Sequence, residues 1–346
     1  MAYSFLGYDT NYGGFCYMNS KLLSILNSYK RVLIIGTYPP PLGGVSVHIY
    51  RLNYILKNSQ VFDLSQAQKF KGHRYLKLLN LIINKKFDAV HIHTYDIKII
   101  VIMLIFKAIN KFDLIATSHN PRLFNENSKT KNFIYKILLK NLDILVVVGK
   151  HIVEDYQNRG IELPKKIIIE PAFLPPPEDD EEKILNTYPL ELFEFIKKSS
   201  HIILANASQI TFHNGIDLYG LDMCIELTAK LKKDYPNIGF IFALANENVN
   251  KEYLAKMKQI IKELDIEDNF YFLTGQKELW PLFKKADLMI RPTNTDGDAL
   301  SIREALYFDC PAIASDVCDR PEGTIIFQNR DLKDLYIKTL GVLNEK

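Results

Sequence analysis

Charged side chains and a glycine gather in one stretch of the second half of the chain, RPTNTDGDALSIREAL, which begins at Arg291. An apolar run ends there, a loop follows, and a helix is predicted to begin near Ala299. Backbone N–H groups at a helix start can hold a diphosphate, and the carboxylates of Asp296 and Glu304 can accept hydrogen bonds from sugar hydroxyls. A structural alternative stays open, in which Asp298 caps the helix and Glu304 faces solvent.

A glycine pair follows the first predicted strand of the chain. The sequence IGTYPPPLGGV ends a strand, turns through three prolines and places Gly43 and Gly44 directly before a helix-period segment. Glycine lets backbone N–H groups approach an oxyanion, and the start of the helix adds a favourable dipole. The pattern is not a GxGxxG fingerprint, so a plain structural turn remains the alternative.

Histidines stand at the ends of two further predicted strands. His91 and His93 lie in VHIHT, and His119 lies in ATSHN. A histidine at a strand end can hydrogen-bond a substrate hydroxyl or phosphate, and its pKa suits proton transfer. A purely structural histidine is the alternative at each position. No metal site is predicted from His91 and His93, because no carboxylate or thiolate cluster completes one.

Apolar runs alternate with helix-period segments through most of the chain, which predicts an α/β fold with parallel sheets covered on both faces. The sequence PAFLPPPEDDEE interrupts this alternation and is interpreted as a linker. Ligands of such sheets bind beyond the carboxyl ends of the strands, so two doubly wound domains are expected to face each other across a cleft. The predicted boundaries are an N-terminal extension at 1–30, a first Rossmann-like domain at 31–175, the linker at 176–185, a second Rossmann-like domain at 186–330 and a terminal helix at 331–346.

The charge of the chain is unevenly distributed. Residues 1–175 hold 23 Lys and Arg against 11 Asp and Glu, a net charge of +12, whereas residues 176–346 hold 20 against 29, a net charge of −9. The basic half is expected to meet an anion, and its cationic segments 69–86 and 129–140 carry apolar stripes. They are either ordinary surface helices or an attachment to anionic lipid. Nucleic acid is not predicted as a partner, because basic–aromatic platforms and a helix-turn-helix pattern are lacking.

Targeting features favour a cytoplasmic protein. The first 30 residues contain no uninterrupted apolar stretch of the kind found in signal peptides. The strongest apolar run, 97–109, is shorter than the roughly 20 residues of a membrane-spanning helix, so a buried helix is predicted there. The four cysteines show no CxxC or metal-ligand spacing and fit reduced thiols.

Together these stretches resemble the retaining GT-B glycosyltransferases of family 4, over about residues 31 to 340. Gly43 and Gly44 match the family's glycine turn, which contacts the donor diphosphate or the acceptor. His119 matches a histidine that lies beside the donor sugar. Asp296 and Glu304 match the family's E-x7-E motif, which holds the donor sugar and ribose, and the following EALYFDCPAIASD is similar to the family's sequence there.

The resemblance implies a metal-independent hexosyltransferase without a cofactor. Its second domain would bind a UDP- or GDP-sugar. The basic segments of the first half suit a glycan or polyprenyl-diphosphate-linked acceptor at the inner face of the plasma membrane. The product would be a bacterial surface polysaccharide or glycoconjugate. The implied catalytic residues are His119 and Asp296. The implied substrate-binding residues are Gly43, Gly44, Arg291, Asp296, Gly297, Asp298, Ala299, Leu300, Ser301, Arg303 and Glu304.

The sequence departs from the family pattern at several positions. The first acid of the E-x7-E motif is Asp296, one methylene shorter, and Ala299 replaces a glycine. Ser208 and Asn214 stand where the family has an Arg and a Lys that bind the donor phosphates, so two charge-assisted contacts are absent. Replacement charge is expected from His213, Arg291 or Arg303. A catalytically weak GT-B partner or scaffold protein is the alternative function.

Overall fold

The computed structural model describes residues 20–65, 73–119, 124, 128–297 and 299–345. The chain divides into two compact units, Met1–Leu174 and Pro175–Lys346. In its described part, each unit contains a six-stranded parallel sheet with helices between most successive strands. This confirms the predicted α/β class with doubly wound parallel sheets.

The sheet of the first unit has the strand order β2-β1-β3-β4-β5-β6, and all neighbouring strands are parallel. Its strand order reverses between β1 and β3, where the fold leaves a crevice at the carboxyl ends of the strands. The strands are β1 (Val32–Gly36), β2 (Ser59–Asp63), β3 (Ala89–Ile92), β4 (Asp113–Ser118), β5 (Ile144–Val147) and β6 (Ile167–Ile169).

Helices cover both faces of this sheet, because successive strand residues belong to different cores. Leu33 and Ile35 pack with one set of helices, and Val32 and Ile34 pack with the other. The helices are α1 (Lys21–Ser28), α2 (Gly44–Ile55), α3 (His73–Asn84), α4 (Ile97–Ile109), α5 (Lys129–Asn141) and α6 (Lys150–Asn158). Helices α1 and α2 pack in the same core as Val32, and helices α3 to α6 pack in the same core as Leu33.

The sheet of the second unit has the order β11-β10-β7-β12-β13-β14, again parallel throughout. Numbered within the unit, this is the 3-2-1-4-5-6 order of dinucleotide-binding domains, with its reversal between β7 and β12. The strands are β7 (His201–Gln209), β10 (Ile238–Asn246), β11 (Phe270–Thr274), β12 (Leu288–Arg291), β13 (Ala312–Ser315) and β14 (Ile325–Phe327), and a small antiparallel hairpin pairs β8 (Phe212–His213) with β9 (Ile216–Asp217).

The second sheet is also covered on both faces. Ile203 and Phe240 pack in a core with α9, α10 and α13, while Leu204 and Ile241 pack in a core with α8, α11 and α12. The helices are α7 (Glu181–Leu185), α8 (Leu190–Lys198), α9 (Leu221–Leu231), α10 (Lys251–Glu263), α11 (Trp280–Phe283), α12 (Leu300–Tyr307) and α13 (Leu332–Asn344).

Three predicted features differ in the structure. Part of the expected N-terminal extension is α1, which buries Leu22, Leu23 and Leu26 in the first unit; residues 1–19 lie outside the described part. The expected linker at 176–185 is largely helical, because a 3-10 turn over Glu178–Asp180 leads into α7. The helix predicted to be buried, α4, exposes part of its apolar surface, as at Ile105.

Candidate functional site

The end of β12 carries a compact polar cluster at the point where the strand order of the second sheet reverses. Arg291 closes β12, and the following loop returns Asp296 to it, with Nε of Arg291 3.0 Å from Oδ2 of Asp296. Nη1 of Arg291 lies 3.2 Å from the backbone oxygen of Asn206, in the C-terminal half of β7. The guanidinium also lies over the ring of Tyr219, 5.1 Å from its centroid. The cluster therefore joins the carboxyl ends of the two strands that flank the reversal.

Arg320 completes this cluster from the loop after β13. Its Nη1 donates to Oδ2 of Asp296 at 2.9 Å, and its Nη2 donates to the hydroxyls of Thr293 and Ser315 at 3.1 Å each. Its side chain is only 2% exposed. The sequence analysis did not single out Arg320 or Thr293. The two arginines and one carboxylate leave a surplus positive charge among these three ion-paired groups.

The carboxylate of Asp296 is saturated by these contacts. Besides the two arginines, it accepts hydrogen bonds from the Thr293 hydroxyl at 3.1 Å and the Gly297 N–H at 3.0 Å. Burial raises the pKa of Asp296, but the adjacent Arg291 and Arg320 outweigh burial and lower the pKa to about 2. Asp296 is therefore ionised and internally bonded, which suits an anchor of the arginines better than an acceptor for sugar hydroxyls.

The loop beyond Asp296 leads to the start of α12. Ala299 is the N-cap and supplies no side-chain hydrogen bond, so the first-turn N–H groups at Leu300 and Ser301 have no capping group from it. Gly297 is exposed, Arg303 is partly buried and Glu304 is buried on the second turn. The predicted site residue Asp298 lies outside the described residues, and the proposed solvent-facing position of Glu304 is wrong.

Backbone N–H groups at the start of α9, unlike those at the start of α12, are already bonded to a side chain. Asp217 accepts hydrogen bonds from the N–H groups of Tyr219, Gly220 and Leu221 at 3.0 to 3.2 Å. A carboxylate thus already holds the backbone donors of this helix start. Ser208 and Asn214, in the preceding segment, are exposed neutral side chains. Within the described part of this unit, α12 is therefore the better-placed helix start for a ligand diphosphate.

The glycine turn of the first unit is held by a serine. The hydroxyl of Ser46 accepts the N–H of Gly43 at 2.9 Å and donates to the carbonyl of Pro41 at 2.7 Å. Gly43 is the N-cap of α2, and Gly44 is its exposed first residue. A Cβ added at Gly44 would have no neighbouring protein atom within 4 Å. This helix start faces open space among the described residues, as a ligand-binding turn requires.

Four histidine rings lie together at the carboxyl ends of β3 and β4. His91 and His93 point to the same face of β3, with ring centroids 4.1 Å apart. His119 follows β4, and its Nε2 lies 3.1 Å from Nδ1 of His93. His48 joins them from α2, with its ring centroid 5.3 Å from those of both His93 and His119. The structure thus places His119, a predicted site residue, next to α2, the helix that begins at the glycine turn.

Burial keeps these imidazoles neutral at pH 7. It lowers the pKa of His48 to about 4 and the pKa of His119 to about 3, and it holds the pKa of both His91 and His93 well below the usual value. A neutral His119 can hydrogen-bond a sugar hydroxyl but adds no positive charge for a phosphate. Its position is fixed by the preceding Ser118, whose hydroxyl bonds to Tyr95 and Tyr156.

The residues of the predicted site fall into two groups. Gly43, Gly44 and His119 belong to the first unit, and the residues from 291 to 304 belong to the second. Sequence reasoning missed His48 and Arg320. His48 could have been found as the residue one helical turn after Gly44, on the side that faces the strand ends. Arg320 gives no such signal, because a loop distant in sequence carries it.

Comparison with known proteins shows which families and folds the chain resembles. Residues 201–328 match the family model described as glycosyl transferases group 1. An uncharacterised glycosyltransferase of Methanocaldococcus jannaschii is 26% identical over 286 residues, which cover 79% of this chain and 67% of that protein. The lipopolysaccharide glucosyltransferase WaaG of Escherichia coli is 22% identical over 58% of this chain and 54% of its own length. The chain thus spans about two thirds and about half of these relatives.

The fold matches solved structures of GT-B glycosyltransferases. Anabaena HepE in complex with UDP-glucose superposes with a TM-score of 0.64, over 91% of this chain and 90% of HepE, at 13% sequence identity. The predicted GT-B class, with two Rossmann-like domains, is confirmed. In the described ranges no helix is long and apolar enough to cross a membrane.

Proposed function

We propose that the protein is a retaining glycosyltransferase that moves a hexose from a nucleotide-sugar to a hydroxyl of a glycan or lipid-linked acceptor. The main observation behind this proposal is the loop between β12 and α12. A helix start and two arginines lie there, at the point where the strand order reverses, in the part of the chain that matches glycosyl transferases group 1. HepE, a protein of the same fold, has been crystallised with UDP-glucose. This supports a nucleotide-sugar as the donor.

In this proposal the donor diphosphate binds to the first-turn N–H groups of α12, at Leu300 and Ser301, because the Gly297 N–H already donates to Asp296. Most N–H groups of Arg291 and Arg320 donate within the cluster, so these arginines contribute mainly their charge. They replace the Arg and Lys for which the chain has Ser208 and Asn214. The surplus positive charge of the cluster and the N–H dipoles of the helix start offset part of the charge of such a dianion, and no bridging metal ion or cofactor is assigned.

The reaction would then proceed on one face of the sugar. The acceptor hydroxyl attacks the anomeric carbon from the side on which the nucleoside diphosphate leaves, and the departing phosphate accepts the hydroxyl proton. The anomeric configuration is retained. His119, being neutral, orients the sugar through a hydrogen bond, and the Gly43–Gly44 turn positions the donor diphosphate or the acceptor.

The test of this function is a thermal-shift screen of the full chain with UDP-, GDP- and ADP-sugars, followed by a turnover assay. One nucleotide class is expected to raise the melting temperature, since a ligand at a hundredfold excess over Kd stabilises by about 2.7 kcal/mol. The same class should release nucleoside diphosphate when acceptor is present. A chain that binds none of these sugars is not a transferase of this kind.

A second candidate function is that of a catalytically weak partner or scaffold protein. The exposed neutral side chains of Ser208 and Asn214 favour it, because the family's phosphate-binding cations are absent there. The same screen separates the two functions. A scaffold would bind the nucleotide-sugar without turnover, or would not bind it at all.

We further propose that the first unit docks on an anionic membrane at the inner face of the plasma membrane, where a polyprenyl-diphosphate-linked acceptor would lie. Helices α3, α4 and α5 expose large apolar side chains. These are Leu76, Ile83, Val101, Ile105, Ile109 and Phe133. Exposed lysines accompany them, including Lys129, Lys131 and Lys136 on α5. Such a surface combines apolar insertion with attraction to anionic headgroups.

Replacing Lys129, Lys131 and Lys136 together by serine is expected to weaken binding to phosphatidylglycerol vesicles about a hundredfold, at roughly 1 kcal/mol for each lysine. Co-sedimentation with phosphatidylglycerol and with phosphatidylcholine vesicles measures this. The matched control replaces Lys251, Lys256 and Lys258, three exposed lysines of α10. Equal binding by both triple variants would contradict the proposed surface.

A further inference from the structure

The histidine cluster of the first unit has the composition and spacing of a metal site. We propose that His48, His93 and His119 together bind a zinc ion. These three residues each offer a ring nitrogen, and the three nitrogens lie within 4.8 Å of one another. They come from three separate elements, namely α2 and the ends of β3 and β4, which meet at the strand reversal of the first sheet.

The three rings stand in a nearly equilateral triangle. Their centroids are separated by 5.3 Å, 5.3 Å and 5.4 Å. Tetrahedral zinc with Zn–N distances of about 2.0–2.1 Å keeps neighbouring ligand nitrogens roughly 3.4 Å apart. Nδ1 of His93 and Nε2 of His119 already lie 3.1 Å apart. The ring nitrogen of His48 lies within 4.8 Å of the other two and would have to approach them to roughly 3.4 Å to complete three of the four zinc positions.

The hydrogen bond that His48 makes through Nδ1 leaves its Nε2 available to bind a metal ion. Its Nδ1 lies 2.6 Å from the carbonyl oxygen of Ala172, and a carbonyl can only accept, so Nδ1 carries the proton. Nε2 of a neutral His48 then presents a lone pair. A backbone carbonyl on the second nitrogen is the usual way in which proteins orient a metal-binding histidine.

Three buried nitrogens of the four-histidine cluster lack a hydrogen-bond partner among the described residues, and one of them is Nδ1 of His91, which is not a ligand in the proposed zinc site. Nε2 of His48 and Nε2 of His93 are both buried and unpaired among the residues that the structure describes, and the two side chains are more than nine-tenths buried. An unsatisfied buried polar group costs about 1–3 kcal/mol. A zinc ion on Nε2 of His48 would satisfy that atom directly, whereas a network of histidines alone leaves it unpaired. Nε2 of His93 is not satisfied in this way, because Nδ1 is the ligand nitrogen of that residue.

The ligand set selects the kind of ion. Three neutral imidazoles without a carboxylate suit zinc and exclude the oxygen-preferring Mg²⁺ and Ca²⁺. His119 is only partly buried, so the fourth position would open on the side of this residue, for a water or a substrate oxygen. The site is independent of donor-diphosphate binding in the second unit, which is proposed to need no metal. With Nε2 of His119 bound to zinc, the proposed hydrogen bond to the sugar would come from its Nδ1–H.

The experiment measures zinc in the untagged full-length chain after equilibration with Zn²⁺ and gel filtration, by atomic emission. One zinc ion per chain is expected. Co²⁺ in its place should give the intense visible absorption of a tetrahedral site. The variants His48→Gln, His93→Gln and His119→Gln are each expected to lose the ion. The control His151→Gln removes an exposed histidine of the same unit and should keep it.

Circular dichroism of each variant without metal shows whether it is folded. His119→Gln is the most informative variant, because its side chain is the least buried of the three and its replacement disturbs packing least. A folded wild-type chain that retains no zinc would overturn the proposal, as would folded His119→Gln protein with an unchanged zinc content and Co²⁺ spectrum. Neither readout involves a nucleotide-sugar, so failure here is distinct from failure of the proposed transferase activity.

Discussion

Replacing Gly44 by tryptophan is expected to abolish sugar transfer, with a loss of about a hundredfold or more, while the protein stays fully folded. The indole would occupy the space in front of α2, where the donor diphosphate or the acceptor is proposed to bind. Displacing a reacting group by about 1 Å already costs on the order of a hundredfold in rate. Folding is not impaired, because a Cβ at Gly44 has no protein neighbour within 4 Å and glycine is itself a poor helix residue.

The measurement is nucleoside diphosphate release together with the melting temperature of each variant. Gly341→Trp is the matched control, since Gly341 is an exposed glycine of α13 whose added Cβ also has no neighbour within 4 Å. Normal turnover in Gly44→Trp would show that the glycine turn is not part of the substrate site. A drop in melting temperature confined to Gly44→Trp would give the turn a structural role.

A second glycine, Gly36, shows that a glycine needed for packing can be distinguished from one that leaves space for a ligand. A Cβ at Gly36 would lie 2.3 Å from Cδ1 of Ile49 and 3.2 Å from Cβ of His93. Gly36 is therefore required for α2 to pack against the end of β1, which places His48 beside the strand ends. Gly44, the first residue of α2, has no such packing requirement. The sequence shows both glycines, but only the packing distinguishes the structural one from the exposed one.

The sequence predicts the strands that are continuous and apolar, because burial on both faces of a parallel sheet demands such runs. The apolar runs VLIIG, LMIR and AIAS of the sequence are such strands in the structure, at Val32–Gly36, Leu288–Arg291 and Ala312–Ser315. Strand β2 was not predicted, since its sequence SQVFD is half polar and all five residues are only partly buried at the sheet edge. Strands β6 and β14 have three residues each, too few for a periodic signal.

Tertiary contacts explain the helix found in the predicted linker. Acidic residues in the first turn of α7 complement the helix dipole and favour a helix start locally, but so short a helix is not stable in isolation. Lys284, however, donates to Glu178 at 2.8 Å and to Glu181 at 2.7 Å. Because Lys284 immediately follows α11, distant in sequence, this pairing could not be read from the local pattern.

The candidate site was likewise only partly predictable from the sequence. Gly43, Gly44, His119 and the 291–304 loop were predicted because ligands of parallel sheets meet the carboxyl ends of strands. The sequence could not give the partner of each charge. Arg320 follows Asp296 by 24 residues, and only the fold brings its guanidinium to the carboxylate. For this reason Asp296, predicted as a residue that contacts sugar, is found as the centre of an ion-pair network.

Asp296→Asn is expected to destabilise the second unit by roughly 3 kcal/mol at neutral pH. Removing the charge leaves the guanidinium groups of Arg291 and Arg320 buried without a counterion, and breaking a buried pair in this way costs about 3–5 kcal/mol. The lowered pKa of Asp296, about 2 in the folded protein, gives a similar figure of about 2.6 kcal/mol relative to a free Asp near 3.9. Urea denaturation of wild type and variant measures the difference.

The pH dependence identifies the carboxylate as the cause. Because folding lowers the pKa of Asp296, its stabilisation is present above the unfolded pKa of about 3.9 and is lost as the pH falls towards about 2. The gap between wild type and Asp296→Asn should therefore be constant near neutral pH and narrow below about pH 4. Asp265→Asn is the control, since Asp265 pairs with Lys232 but is 96% exposed, and such surface pairs contribute about 0–1 kcal/mol. If Asp296→Asn were as stable as this control yet unable to turn over donor, Asp296 would act on the substrate itself, and the anchoring role would be wrong.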